Sequence, residues 1–222
     1  MANKGKYYES QFEEATIELL REAHWQYTLG DDIHRKYTDP LIEEDLRNFL
    51  AVQYKDKNLT TSEMDGIVAN LRNTGGQNDY YALRNAFLLY RDGYDFAYSD
   101  SRDNPFRMEY IDFEHPDHNI FRCVNQFVMG QGRENRRPDI LLFINGIPVC
   151  IIELKNPTKQ NATIRDAHTQ ICTRYMRDIP ALLKYCALAV ISDGAKNALG
   201  TTYTPFEFFY EWKKIENEDK AG

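Results

Sequence analysis

The sequence predicts an α/β fold in which helices cover a mixed central β-sheet, and three observations lead there. Apolar residues recur at helical spacing near the N-terminus and again at 163–177. Between these stretches run short alternating or wholly apolar segments, separated by Gly, Pro, Asn and Asp. The resulting order of helix, strands, helix, strand, helix belongs to a sheet with covered faces. A chain of 222 residues, 42% apolar and 13% aromatic, can bury a sizeable core as one large domain.

Taken in order, Phe12, Ala15, Ile17, Leu19 and Leu20 alternate with charged residues from Glu9 to about Glu22, an amphipathic first helix that ends before Gly30. Leu41–Tyr54, Thr61–Leu71 and Asp79–Leu89 carry further helical patterns, the second with Ser62 as its expected N-cap. They read as a helical sub-lobe inserted at about 41–90 of a single domain spanning 1–222. After Asp92-Gly93 the segments Met108–Phe113, Ile120–Met129, Ile140–Ile144 and Ile147–Leu154 read as strands. Thr163–Arg177 then reads as a helix, Tyr185–Ser192 as a buried strand and Phe206–Lys214 as a closing helix. Tyr80, Tyr81, Tyr90, Tyr94 and Tyr98 are read as helix-packing aromatics in preference to a base-stacking platform.

Charge and cysteine usage narrow the function. A formal net charge of -7 argues against coating nucleic acid with the whole surface, which needs many phosphates neutralised. A local basic cleft remains open to the chain: Arg133, Arg136 and Arg137 lie together, Lys155, Lys159, Arg165, Arg174 and Arg177 follow, and acids dominate the first sixty residues. Cys123, Cys150, Cys172 and Cys186 show no CxxC spacing and read as reduced residues of a cytoplasmic protein. No apolar run approaches the roughly 20 residues of a membrane span, no P-loop follows Gly75-Gly76, and no nucleophilic triad emerges from spacing. His115-Pro-Asp-His118 has metal-ligand chemistry, but Pro116 argues for a loop and no second ligand pair follows, so zinc is set aside.

The informative segment is RRPDILLFINGIPVCIIELKNP, residues 136–157. Asp139 opens one strand, Asn145-Gly146 makes a turn, and Glu153-Leu-Lys155 closes the next strand. Two apart on a strand, Glu153 and Lys155 project from one face. Two carboxylates converging near a backbone carbonyl are hard oxygen ligands suited to Mg²⁺, an ion that serves phosphodiester hydrolysis. The same tripeptide chemistry recurs at Glu211-Trp-Lys213 and Glu218-Asp-Lys220 without an acid returned by a hairpin, so context carries the argument. A charged pair closing a buried strand is costly unless partnered or functional.

The segment resembles the PD-(D/E)XK signature in the form found in type I restriction enzyme R subunits. YIDFEHPDHNIFRCVNQFVMGQGRENRRPDILLFINGIPVCIIELKNP is similar to that family's central block, and SDGAKNALGTTYTPFEFFYEWK to the block that follows it, the likeness running from about Tyr7 to Lys213. The resemblance implies a restriction-endonuclease-like fold and an Mg²⁺-dependent endonuclease domain acting on duplex DNA. It makes Asp139 and Glu153 metal ligands and Lys155 the catalytic lysine. A further acid comes from the first helix, Glu9 or Glu13, four apart on one face and not separable here. Arg136, Arg137 and Arg174 are the expected DNA contacts. Related nucleases carry a Gln with a Tyr four residues on; here Gln170 is followed at that spacing by Arg174, and Tyr175 would point about 100° away. Gln170 is therefore expected at the site and Tyr175 is not. By resemblance, methyltransferase and specificity subunits are the partners, ATP belongs to motor domains absent from this stretch, and the chain is expected to be a fragment. Rival readings are a catalytically silent docking or DNA-binding module of the same fold and a stand-alone nuclease.

Register sharpens the expectation. A plain two-residue turn at Asn145-Gly146 sets Asp139 opposite Ile152, with its side chain on the wrong face for Glu153. Shared chemistry therefore requires an irregularity between Asp139 and Glu153: a three-residue connection Ile144–Gly146 with a bulge, or a bulge farther along either strand.

Overall fold

The computed structural model describes residues 4–130, 135–155 and 163–211, with side chains from Ser10 onward. Seven strands form one mixed sheet in the order β1 (Gln26–Leu29), β4 (Phe121–Asn125), β5 (Ile140–Ile144), β6 (Ile147–Leu154), β7 (Leu188–Ser192), β8 (Asn197–Gly200) and β9 (Tyr210–Glu211). The pairs β1/β4 and β6/β7 are parallel and the others antiparallel. Strands β2 (Tyr94–Phe96) and β3 (Phe106–Met108) form a separate hairpin.

β6 lies in the middle of the sheet and is buried on both faces, which explains its nearly continuous apolar run. On one face, Ile140, Cys150, Ile152 and Leu154 pack with Ile17 of α1 (Lys4–Glu22), whose Phe12 and Leu20 lie alongside. On the other, Leu141, Phe143, Ile151, Ala189 and Ile191 pack against Ala167, Ile171, Tyr175 and Leu182. These last belong to α5 (Ile164–Thr169), a π-helical segment (Gln170–Tyr175), α6 (Met176–Asp178) and α7 (Pro180–Leu183). A third cluster joins α2 (Glu43–Gln53), α3 (Thr61–Asn73) and α4 (Asp79–Asp92) to Tyr110, Ile147 and Tyr185.

Several expected elements move. The N-cap of α3 is Thr60 in place of Ser62: the Thr60 hydroxyl accepts from Glu63 N–H while the Glu63 carboxylate accepts from Thr60 N–H, a reciprocal capping box. The expected strand at 108–113 is reduced to the end of β3, because Asp112, His115 and Asn119 build a hydrogen-bonded turn there. The strand expected from Ile120 stops at Asn125, since Gln126 takes a left-handed φ of 55°. The closing helix at 206–214 is a 3₁₀ turn, Phe206–Phe208, followed by β9; residues 212–214 lie outside the described residues. β1, β2, β8 and β9, all short, were not expected. Tyr90 and Tyr98 are buried as packing residues, whereas Tyr80 and Tyr81 are exposed and meet edge to face, Tyr80 also against Tyr203. Among the described residues no helix is long and apolar enough to cross a membrane.

The β5–β6 hairpin resolves the register. Its turn has two residues, Asn145 at φ 50° and Gly146 at φ 75°, and Ile144 pairs with Ile147. Gly146 is required twice over, by its φ and because a Cβ there would lie 2.1 Å from the Ile42 carbonyl oxygen. The three-residue connection is therefore not used. Instead Phe143 pairs with Pro148 and Leu142 with Cys150, leaving Val149 as the extra residue of a bulge. Pro148 has no N–H to give the ladder, and a bulge is where a strand tolerates it.

Candidate active site

Past the bulge Ile140 pairs with Ile152, so one further step sets Asp139 opposite Glu153, on the face that carries Leu141 and Ile151 and is covered by the α5–α7 helices. Asp139 Oδ2 accepts from Leu154 N–H at 2.7 Å, which ties the start of one strand to the end of the other. Beyond β6 the Lys155 N–H donates to the Ser192 carbonyl at 2.8 Å, so the chain is held at the C-terminal ends of the two parallel strands.

Glu153 is fully buried. Its Oε1 accepts from Lys155 Nζ at 2.7 Å, and its Oε2 lies 3.3 Å from the Tyr175 hydroxyl, which accepts in turn from Gln170 Nε2 at 2.6 Å. Burial, and then the charge of Asp139, push the Glu153 carboxyl up to about 8, only partly offset by Lys155 and Tyr175. Burial and Glu153 in turn push the Tyr175 phenol up, so it keeps the proton it donates.

Tyr175 is a correction. In an α-helix five residues advance about 140° around the axis, which would separate Tyr175 from Gln170. The helix between them is π-helical from Gln170 to Tyr175, and its i→i+5 bonding brings residue 175 beside residue 170. The two side chains meet, and Tyr175 is buried against Glu153 where it was expected to turn away.

The other expected residues divide. Glu13 stands one turn before the buried Ile17, and its Oε1 accepts from Asn125 Nδ2 at 2.7 Å and Gln126 Nε2 at 3.1 Å. Gln126 Oε1 accepts from the exposed Arg137 at 2.9 Å, which links Glu13 to the strand leading into Asp139. Glu9 has its backbone in α1, and its side chain lies outside the described residues, as do Arg133 and Lys159. Arg136 is ion-paired with Asp178, its Nε 2.7 Å from Oδ2. Arg177 joins it there, and between them the two guanidiniums hold the Asp178 carboxyl down at about 2. Arg174 is exposed on the π segment. His168 packs against Phe206 and Phe209 with Nε2 2.9 Å from the Thr204 carbonyl. Asn125, Gln126 and Asp178 were not singled out from sequence; the polar Asn-Gln pair closing an apolar strand was the available signal.

Residues 6–208 match the family described as the type I restriction enzyme R protein N terminus. The chain belongs to that family. A relative, the type I restriction enzyme HindI endonuclease subunit of Haemophilus influenzae, is 29% identical over 224 residues, covering 96% of this chain and 21% of its own. A Methanocaldococcus jannaschii relative carrying the type I restriction enzyme name MjaIXP is 30% identical over 215 residues, 93% of this chain and 20% of its own. The type I restriction enzyme EcoprrI endonuclease subunit of Escherichia coli is 30% identical over 133 residues, 56% of this chain and 40% of its own. This R-protein N-terminal chain thus spans about a fifth of the length of the first two of these relatives.

Proposed function

We propose that this R-protein N-terminal chain is the DNA-cleaving domain of a type I restriction enzyme, a PD-(D/E)XK endonuclease that hydrolyses phosphodiesters of duplex DNA with Mg²⁺. The observation that carries the reading is the opposition of Asp139 and Glu153 across the bulged hairpin, with the Lys155 amine 2.7 Å from Glu153. The names of the relatives, endonuclease subunits of type I restriction enzymes, support it.

The donor set suits a hard divalent cation: two carboxylates, one of them so buried beside the other that its proton is held up to about 8. Asp139 and Glu153 would hold it, and in that position Mg²⁺ supplies charge neutralisation at the phosphate and a nucleophile at neutral pH. Lys155 offers N–H donors where an attacking water or the phosphoryl oxygens would gather charge. Tyr175, fixed by Gln170, contacts Oε2 of Glu153 and so orients the carboxylate. Arg137 and Arg174, both exposed, are the cations for DNA phosphate, while Arg136 braces the strand before Asp139 through Asp178. In the complete enzyme, methyltransferase and specificity subunits would read the target and ATP would serve motor domains elsewhere.

The test is DNA cleavage by the assembled enzyme carrying Asp139→Ala, Glu153→Ala or Lys155→Ala. Each should lose on the order of 10²-fold or more in cleavage rate while ATP hydrolysis stays nearly intact. Normal cutting by Glu153→Ala would falsify the assignment.

A further inference from the structure

We propose that Asp112, His115 and His118 form a second metal site, one that takes a transition-metal dication of the Zn²⁺ class and lies at the opposite end of the β5–β6 hairpin from Asp139 and Glu153. A 3₁₀ turn, Pro116–His118, follows His115, and residues three apart in such a turn eclipse one another. The two imidazoles accordingly stack, centroids 4.9 Å apart and 19° from parallel. Both present Nδ1 to one carboxylate oxygen: Asp112 Oδ2 lies 3.0 Å from His118 and 3.5 Å from His115. The three ligand atoms all fall within 4.8 Å of one another.

The two Asp112–histidine separations suit a coordination shell. Tetrahedral ligands about 2.0–2.1 Å from Zn²⁺ stand about 3.3 Å from one another, between the two Asp112 distances. Hydrogen bonding accounts for the cluster less well, because Oδ2 already accepts from Gln53 Nε2 at 3.2 Å and would have to serve three donors. Two imidazole nitrogens and one carboxylate favour Zn²⁺, Co²⁺ or Ni²⁺ over Mg²⁺. A fourth position stays open on the histidine side, where the two rings are 63% and 57% exposed.

The cluster is also supported from behind, as ligand sets are. Asp112 is buried, and its Oδ1 accepts from the N–H groups of Glu114 at 3.1 Å and His115 at 2.8 Å, which turns Oδ2 toward the histidines. Asn119 accepts from Asp112 N–H and donates to the carbonyls of Asp112 and Pro116. Asn145 of the hairpin turn donates to Asn119 Oδ1 at 2.8 Å, so an ion here would clamp the 112–119 turn to the end of the central hairpin.

Co²⁺ titration of the purified chain, followed by visible absorption, tests the site. One equivalent should give the d–d band of a nitrogen-and-oxygen site, bleached by one equivalent of Zn²⁺ and indifferent to Mg²⁺. The band should persist in Asp139→Asn/Glu153→Gln and vanish in His115→Ala and His118→Ala, whose metal-free melting temperatures should match the parent because both rings are exposed. Gln53→Ala, which touches no ion, should weaken Co²⁺ about tenfold. No band, a band that survives both histidine variants, or a band lost with the Asp139 and Glu153 changes overturns the proposal.

Discussion

The Tyr175 hydroxyl lies 3.3 Å from Glu153 Oε2 while Lys155 Nζ donates to Oε1 at 2.7 Å, so the two contacts together fix the orientation of the buried carboxylate. Tyr175→Phe keeps the ring's packing and removes only the hydroxyl, with its contacts to Glu153, Gln170 and the Arg137 carbonyl, so the melting temperature should stay within a few degrees while cleavage by the assembled enzyme falls about tenfold, the cost of one supporting group. Gln170→Ala should cost less, and the double variant no more than Tyr175→Phe alone, since both act through one hydroxyl; additive losses would mean that Gln170 works elsewhere. The carboxyl itself supplies a pH test. Glu153 is pushed up to about 8 by burial and Asp139, from an ordinary value of 4.5, so between these values the folded protein keeps a proton that the unfolded chain releases. Stability from this group is therefore full below about pH 4.5 and is lost as pH rises through about 8. In chelator, the melting temperature should decline across that window, and Glu153→Gln should flatten the decline. An equal slope in the Gln variant would show that other groups set it.

Two irregular elements bring the candidate site together, a bulge and a π segment, and each inserts one residue where a regular element would separate the partners. Without Val149 the two-residue turn would send Asp139 to the face away from Glu153; without the π segment Tyr175 would point away from Gln170. This divides what could be read in the sequence from what could not. β5 and β6 are legible to the residue, because the apolar run from Ile140 to Ile152 is broken only by Asn-Gly and is closed on either side by Asp139 and Glu153. That some bulge was needed is also legible, from the arithmetic of side-chain alternation. Its location at Pro148-Val149 is not, because any extra residue between the carboxylates restores the face. The π segment is invisible because helical periodicity is read at 3.6 residues per turn, and the short edge strands because two to four residues carry no period. Removing the extra helical residue tests the account. Deleting the exposed Thr173 should let an ordinary α-helix run through, with Gln and Tyr now four apart and still in contact. Cleavage should be retained and the melting temperature unchanged or raised. A strong loss of both would mean that the π segment serves packing and not the Gln170–Tyr175 contact.

At the scale of the whole molecule the charge works against the proposed substrate. With 27 cations against 34 acids and a net -7, the field of the chain as a whole repels DNA, and binding must come from a few cations close enough to phosphate to outweigh it. Arg137, Arg165 and Arg174 are exposed, Arg165 lying over the Phe206 ring and Arg137 donating to Gln126. Arg136 is held by Asp178 and is spent on structure. Two to four neutralised phosphates correspond to a slope of log K against log salt of about -2 to -4, at roughly -0.9 per phosphate. The purified chain, titrated with a short duplex in Ca²⁺ to prevent cutting, should therefore bind weakly and release the duplex between about 50 and 200 mM salt. Arg174→Ala should make the slope shallower by about one, and so should Arg137→Ala. Asp178→Asn should leave the slope unchanged or steeper, because it removes the carboxylate charge paired with Arg136, and should lower stability instead. Tight binding insensitive to salt, or a slope untouched by both arginine variants, would move the DNA contact away from the Glu153 face and take the proposed nuclease site with it.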